Sequence, residues 1–177
     1  NYNYLADAVF LWDRETGILE TTIFIADFGF AQIDEIHPIP NSDRLVVEAK
    51  VHHNASQYRE LVVLDLATGD SLHATWFESS IGAVEISGDG SSILLSSYTD
   101  KEGAALIDAE TGEFQHSLVS DLHGHPGQFA LSEDGSYAVL GFGNSEWAEI
   151  YRTDTGALVE SIHLIERPPN APPSMRN

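Results

Sequence analysis

The chain contains no cysteine, only two lysines and no long apolar run. The absence of cysteine excludes disulfide bonds, thiolate metal sites and cysteine nucleophiles. No apolar run approaches the length of a membrane-spanning helix, so we expect no membrane insertion. Lys and Arg together number 8 against 28 acidic residues, which gives a formal net charge of −20. This charge repels phosphate backbones, so we expect no nucleic-acid binding, and it favours cations as partners or a salt-rich medium.

Motifs of catalysis are missing as well. The sequence has no Gly-x-Ser-x-Gly, no phosphate-binding loop and no His-Glu-x-x-His, so it points to no catalytic residue and no cofactor. A secretion signal, with a basic segment followed by an apolar stretch, is not visible. The acidity and the lack of cysteine favour the cell exterior, the periplasm or a high-salt cytoplasm.

What the chain does contain is a five-residue turn that occurs four times. Each copy follows a short apolar run and precedes a second run of strand-forming residues, which is typical of a β-hairpin. An Asp carboxylate can accept backbone N–H groups inside such a turn, and Gly supplies the positive φ that closes it. We predict a structural role for these turn residues: Asp13, Thr16 and Gly17; Asp65, Thr68 and Gly69; Asp108, Thr111 and Gly112; and Thr155 and Gly156, where Arg152 replaces the Asp.

A second tight turn, Ser-x-Asp-Gly, lies between these hairpins. It occurs twice, with the pairs Asp89 and Gly90, and Asp134 and Gly135, and a degenerate copy lies over 39–43. Repeated Asp and Gly residues are also found in calcium loops, but the ligand spacing of a known calcium loop is missing. We therefore predict that these residues are structural too.

Together the two turns define a repeat of four strands. The glycines of the first turn recur at intervals of 52, 43 and 44 residues. A period of roughly 40 to 50 residues with four strands is typical of a β-propeller. We therefore predict an all-β propeller of four-stranded antiparallel blades. Its predicted parts are 1–25, the remainder of a first blade with the end of strand b and strands c and d; 26–77, blade two; 78–120, blade three; 121–165, blade four; and 166–177, a Pro-rich tail or linker.

The first blade is expected to have no strand a, because the chain starts near the predicted end of a strand b. Three blades and a fraction cannot close a ring of four-stranded sheets. We therefore expect a propeller that is incomplete at its N-terminal end. Either the remainder of a longer polypeptide or a partner chain would complete it.

Trp12-Asp13 at the end of one strand, and Gly124-His125 before a Ser-x-Asp-Gly turn, resemble the WD-repeat β-propellers. In that family a Gly-His pair precedes strand a, and Trp-Asp ends strand c. The resemblance covers nearly the whole chain except the tail. Only one blade has Trp-Asp, and the pattern is also similar to the YVTN-type and quinoprotein-like propellers.

Histidines and aromatic residues outside the turns are the candidates for binding. A long b–c loop predicted over 51–60 and the connection before blade four reach the same face of a propeller. A metal site would need three or four of the side chains to converge, and the alternative is solvated loop histidines. An aromatic binding patch could be formed by Trp76, Trp147, Tyr58 and Phe142, but such residues more often pack between blades. The possible partner-binding residues of this loop face are His52, His53, Asn54 (which also begins a glycosylation sequon), Tyr58, His123, His125 and Trp147.

Three functions remain open. The first is a scaffolding or protein–protein interaction module without chemistry of its own. The second is an enzyme or cofactor-binding propeller of the lactonase or quinoprotein kind, with ionisable side chains converging in a central channel. The third is a structural component of an extracellular assembly. Fold alone does not choose among them.

Overall fold

A computed structural model describes residues 8–24, 32–53, 56–77, 81–97, 103–119, 126–142 and 146–164. No helix with the length and apolar character of a bilayer-spanning segment occurs among these residues. The strands in chain order are β1 (Ala8–Trp12), β2 (Leu19–Phe24), β3 (Gln32–Pro38), β4 (Arg44–His53), β5 (Ser56–Asp65), β6 (Ser71–Phe77), β7 (Ile81–Ile86), β8 (Ser92–Ser97), β9 (Ala104–Asp108), β10 (Phe114–Leu118), β11 (Gln128–Leu131), β12 (Tyr137–Phe142), β13 (Trp147–Arg152) and β14 (Leu158–His163).

The strands form four separate antiparallel sheets. Strands β3 to β6, β7 to β10 and β11 to β14 each make a four-stranded meander in chain order, and β1 pairs with β2. We call these sheets blades one to four and label the strands of a full blade a to d. Strands β7 and β11, both strand a, contact each other across blades, so strand a is the inner edge and strand d the outer edge. The predicted all-β class and four-stranded antiparallel blades are confirmed; the exact blade boundaries stay a prediction.

The core lies between the blades. Alternation along β12 illustrates the reason: Ala138, Leu140 and Phe142 are buried, whereas Tyr137 and Val139, which alternate with them, are exposed. Successive side chains of a strand point to opposite faces, so each blade presents one face to the blade before it and one to the blade after it. Three apolar clusters fill the three contacts between consecutive blades. The burial of Phe142 supports packing as the role of that aromatic residue.

The repeated turn between strands c and d has the predicted geometry. Oδ1 of Asp13 accepts the backbone N–H groups of Glu15 and Thr16 at 2.8 and 2.6 Å, and Asp65 and Asp108 make the equivalent pairs of bonds. The glycine that ends each turn has a φ between 64° and 78°. In the fourth copy the Arg152 guanidinium instead forms an ion pair with Asp154.

The turn between strands a and b is built on a serine–aspartate contact. Ser87 Oγ donates to Asp89 Oδ1 at 2.6 Å, and Ser132 Oγ donates to Asp134 Oδ1 at 2.7 Å. In the degenerate copy Asn41 adopts a positive φ of 57°. The backbone N–H of Ala109 in a c–d turn donates to the Ser91 carbonyl oxygen in the a–b turn of the same blade, and the other full blades have the same bond. Both turn types therefore lie at one face of the array, which we call the turn face.

The c–d turns of blades three and four also support the blade before them. His73 of β6 lies over Gly112, and its Nε2 is 2.7 Å from the carbonyl oxygen of Glu110. His116 of β10 lies over Gly156 in the same way, with its Nε2 at 3.1 Å from the carbonyl oxygen of Asp154. A carbonyl oxygen can only accept, so Nε2 carries the proton in both histidines. The two histidines therefore form a recurring contact between consecutive blades.

The prediction of a loop over 51–60 is wrong, because most of these residues belong to strands β4 and β5. Strands β4 and β5 continue to His53 and from Ser56, and the register pairs Val51 with Tyr58 and His53 with Ser56. Strand-forming residues of β4 and β5 lie opposite one another. Cross-strand pairing therefore extends the hairpin into the region where the sequence predicts a loop. The end of strand b that is predicted at the start of the first blade, and the tail predicted over 166–177, lie outside the described residues.

Replacing Gly112 by Ala tests whether this glycine is needed both for the conformation of its turn and for the close contact with His73. An added Cβ would overlap the β-carbon of His73 in blade two, a group close to the backbone that has little room to move. The positive φ of 69° adds strain of about 1–2 kcal/mol. We expect the free energy of unfolding in urea to fall by about 2–4 kcal/mol.

Gly17→Ala is the matched control for this substitution. Gly17 has a similar φ of 67°, but an added Cβ would meet nothing within 4 Å. Only the backbone strain of about 1–2 kcal/mol remains. If Gly112→Ala and Gly17→Ala lower the free energy of unfolding by equal amounts, the contact between His73 and the turn does not contribute to stability.

Candidate functional site

The predicted loop-face residues are only partly described. His52 and His53 belong to β4 and Tyr58 to β5, so their backbone is in a sheet, while their side chains lie outside the described part. Asn54, His123 and His125 lie outside the described residues altogether. Their binding role stays a prediction.

Trp147 is the one predicted loop-face residue whose side chain is described. It is the first residue of β13 and is half-buried. Its ring packs against that of His163 across the strand pair, with 4.8 Å between ring centroids. Trp147 therefore contributes to packing within blade four at the end of the sheet away from the turn face.

A cluster of four charged side chains in blade two was not predicted. Lys50 Nζ donates to Oδ1 of Asp34 at 2.8 Å. Arg59 bridges two carboxylates: its guanidinium contacts Oδ2 of Asp34 and donates to Oε1 of Glu48 at 2.7 Å. Exposure of these side chains ranges from 6% for Glu48 to 28% for Lys50. We call this group the charge cluster.

Strand geometry explains why the charge cluster forms. Lys50 and Arg59 are paired directly across β4 and β5, and Glu48 lies two residues before Lys50 on the same face. That face packs toward blade three through Val46. The register of β3 shifts between Ile33 and Glu35, leaving Asp34 as the extra residue of a bulge. A hint in the sequence was the occurrence of Glu48 and Lys50 at alternate positions of the otherwise apolar run over 45–51.

The environment of Glu48 favours its protonated form. Glu48 is buried, and this burial raises the pKa of its carboxyl to about 7. The charge of Glu35 raises the pKa further, and Lys50 opposes the rise. The Arg59 guanidinium that donates to Glu48 also contacts Asp34, so it is shared between two carboxyl groups. Glu48 therefore exchanges its proton near neutral pH.

Two further carboxylates are buried between blades. Glu60 is 5% exposed, and burial raises its pKa. Glu149 is 1% exposed; it accepts a hydrogen bond from the Tyr151 hydroxyl at 2.6 Å and another from Ser161 Oγ at 3.3 Å. Tyr151 Oη also lies 3.3 Å from the carbonyl oxygen of Val119 in blade three. Glu149 thus takes part in a polar contact between blades three and four.

The aspartates of the turn face are occupied by their own turns. The serine bond from Ser132 is the main cause that lowers the pKa of Asp134 to about 2, followed by the bonds from Ser136. The bond from the Ser87 hydroxyl likewise lowers the pKa of Asp89. Among the described residues no group of three or more His, Asp or Glu side chains is arranged to hold a metal ion. The structural role predicted for the turn aspartates agrees with this geometry.

Exposed apolar side chains recur on the outer strands. Leu19, Phe114 and Leu158 are each the first residue of a strand d, two residues after the turn glycine. They are 41%, 61% and 50% exposed. In blade two the second residue of the strand, Leu72, is exposed instead. We call these four residues the outer row.

Comparisons with known proteins support the fold of the chain but neither a family nor a function. No family model matches the chain, and no curated protein matches it in sequence. Kuenenia stuttgartiensis hydrazine synthase is similar in structure, with a TM-score of 0.55, 17% identity, and coverage of 86% of this chain and 48% of that chain. The β-propeller domain of Cps50 (Swd1) from Myceliophteria thermophila has a TM-score of 0.52 and 14% identity, covering 68% of this chain and 38% of that chain.

The similar structures agree with the predicted architecture. The chain spans about half of the first structure's chain and less of the second's. At these identities the likeness supports only the fold, which is that of a β-propeller built from antiparallel four-stranded blades.

A Glu48→Gln variant tests whether the Glu48 carboxyl of the folded protein is protonated below about pH 7. The folded protein holds this proton between about pH 4.5 and 7, where the unfolded chain has lost it. Wild-type stability must therefore decline as the pH rises through that window, by at most about 3 kcal/mol from this group. A glutamine at this position does not titrate, so the variant should lose less stability. Urea unfolding at several pH values measures the difference.

Glu85→Gln is the control for that comparison, because Glu85 is an exposed strand residue. Its stability should follow the wild-type pH profile. If the profiles of the Glu48 variant and the wild type coincide, Glu48 is ionised in the folded protein throughout, and the environment described above does not control it.

Proposed function

We propose that this chain is a protein–protein interaction module, a propeller of the WD-repeat or YVTN-like kind that binds a protein partner and has no chemistry of its own. The observation that carries the proposal is the outer row. Large apolar side chains are exposed at corresponding positions of three blades, on a chain whose net charge is −20. Single exposed apolar residues are ordinary, whereas a set of them on one surface is typical of a binding site.

The geometry of the outer row suits a protein surface as ligand. Strand d is the outer edge of its blade, so the row follows the rim of the turn face from blade to blade. Phe114, the most exposed member at 61%, has the large rigid side chain that dominates many interfaces. Acidic residues beside the row, Glu113 among them, would form the polar rim and favour a partner with a basic surface.

Phe114→Ser combined with Leu158→Ser tests the proposal. Wild-type and variant chains are used as bait in an extract of the source organism, and retained proteins are quantified by mass spectrometry. Each lost apolar contact should weaken binding by about 1.5–3 kcal/mol, so the partner retained by the wild type should be depleted more than about tenfold.

Gln115→Ser is the control bait, since Gln115 is exposed on the same strand but polar. It should retain the partner at the wild-type level. Circular dichroism of each bait verifies the fold. Equal retention by the double variant and the wild type would contradict an interaction through the outer row.

The charge cluster favours a second candidate function, a ligand-binding or catalytic propeller of the lactonase or quinoprotein kind. Asp34 lies on the innermost strand of blade two, and the cluster brings together four ionisable side chains, one of which, the carboxyl of Glu48, has a pKa raised to about 7. Groups of this type are typical of functional sites, although structural ion pairs produce them as well. The cluster therefore supports the alternative only if it binds a ligand.

Lys50→Met, which keeps the length of the side chain without its charge, tests this alternative. The wild type is titrated with an ortho-quinone cofactor while tryptophan fluorescence is recorded, and hydrolysis of a γ-lactone is assayed. Saturable binding or turnover that the variant loses would support a site. Absence of both, with the variant as stable as the wild type, would leave the charge cluster a structural network.

A further inference from the structure

A cavity of about 530 Å³ opens at the turn face between blades three and four. It lies where two consecutive blades pack on each other, and its volume is in the range of about 300–1,000 Å³ that is usual for small-molecule sites. We call it the turn-face cleft. Its walls include four hydroxyl side chains, one imidazole and two carboxylates: Ser91, Ser92, Ser136, Thr153, His116, Asp134 and Asp154.

Most hydroxyl groups of the turn-face cleft donate their protons within the protein. Ser136 Oγ donates to Asp134 Oδ1 at 2.7 Å, and Thr153 Oγ1 donates to the carbonyl oxygen of Gly135 at 2.6 Å. Ser91 Oγ donates to the aspartate of its own turn at 2.8 Å. Each hydroxyl has a single proton, so these three oxygens offer a ligand only their lone pairs.

His116 and Asp134 add two further acceptors. Nε2 of His116 carries the proton that bonds the carbonyl oxygen of Asp154, so Nδ1 of the neutral ring can only accept. The bonds that Asp134 accepts from Ser132 and Ser136 all go to Oδ1, and the turn does not use Oδ2. Because these bonds also lower the pKa of Asp134 to about 2, its carboxylate is charged near neutral pH.

The turn-face cleft therefore presents acceptors and negative charge to a ligand. No lysine or arginine is among the residues that line it. Arg152 compensates the charge of Asp154, whereas no ion pair of Asp134 occurs within the described part of the chain. A ligand that fits must carry positive charge and donate several hydrogen bonds, which ammonium and guanidinium groups do.

The preceding contact of the array supports this assignment. Arg44 is the first residue of strand b in blade two, as Ser92 is in blade three. Arg44 alternates with Val46, which packs toward blade three, so its side chain lies on the face toward that blade. The contact between blades two and three thus contains a cation of the chain itself at the position where the turn-face cleft has a hydroxyl. A ligand can supply the corresponding cation in the cleft.

We propose that the turn-face cleft binds the ammonium or guanidinium group of an organic cation. Oδ2 of Asp134 pairs with the charged group, and the hydroxyl oxygens and Nδ1 of His116 accept its remaining N–H bonds. The group belongs either to a free amine or to a basic side chain of a protein, and both sources share this chemistry. The proposal does not depend on the outer row.

Isothermal titration calorimetry of the intact chain with agmatine, which carries both kinds of group, tests the proposal. The wild type should bind one equivalent of agmatine with saturation. Asp134→Asn removes the charge but keeps an Oδ1 acceptor for the turn, and Asn41 already stands at the corresponding position of blade two. This variant should bind agmatine more than about tenfold more weakly, because the charged acceptor is lost.

Asp70→Asn is the matched control, because a chain with a net charge of −20 also attracts cations diffusely. Asp70 is exposed in the c–d turn of blade two, and its replacement changes the net charge by the same amount. The control should keep the wild-type affinity within about twofold. Equal weakening by the two variants, or wild-type binding without saturation, would overturn the proposal, since the attraction would then be diffuse.

Ser92→Arg gives the contact a cation of its own, as Arg44 does one repeat earlier. The new guanidinium should compete with the ligand and weaken agmatine binding by more than about tenfold. Ser117→Arg adds the same charge at an exposed position of β10 and should not weaken binding to this extent. Circular dichroism verifies the fold of both variants. Wild-type affinity in the Ser92→Arg variant would mean that the cation does not occupy the turn-face cleft.

Two further ligands identify the source of the group and the need for charge. Tighter binding of Nα-acetyl-arginine amide than of agmatine would assign the site to a basic side chain, and the reverse order would assign it to a free amine; both results support the proposal. A butanediol of the same chain length as agmatine has hydroxyl donors without charge. If it binds as tightly as agmatine, the cleft does not recognise a cation, and the proposal is wrong.

Discussion

The stack of blades depends on close approach at the turn glycines. Gly112 lies under His73, and Gly156 lies under His116, with no room for a side chain at the first of these. The same glycine must adopt a positive φ to end its own turn. The conformation of the turn and the packing between blades therefore both require a glycine at the same position. A repeat of this kind keeps its spacing because a change of length would separate the turn from the side chain that rests on it.

The sequence predicts what is local and periodic. The pairs formed by Asp13 with Thr16 or by Ser132 with Asp134 involve residues two or three positions apart, so a short motif contains all the partners. The order of strands follows from the repeat. The extent of the hairpin over β4 and β5 does not, because pairing between residues such as Val51 and Tyr58 outweighs the turn-forming residues at its tip.

The charge cluster could not be predicted for a similar reason. Asp34 reaches Lys50 and Arg59 through a bulge in β3, and a one-residue shift of register changes which face a side chain occupies. The contacts of His73 and His116 with the next blade span about forty residues, although the recurrence of histidine at the blade interval was a usable signal. Contacts between residues of different blades are thus the part of the structure that short sequence motifs do not predict.

Departures from the repeat are informative because the internal blades show what each position normally does. At the position of Glu160 the internal blades have histidines that bond a carbonyl oxygen, a role a carboxylate cannot take. At the position of Arg14, blade three has Ala109, which is buried against blade two, and blade four has Thr153, whose hydroxyl donates to the carbonyl oxygen of Gly135 in the same blade. Comparison with the internal blades therefore separates the residues that shape a turn from the residues that pack one blade on the next.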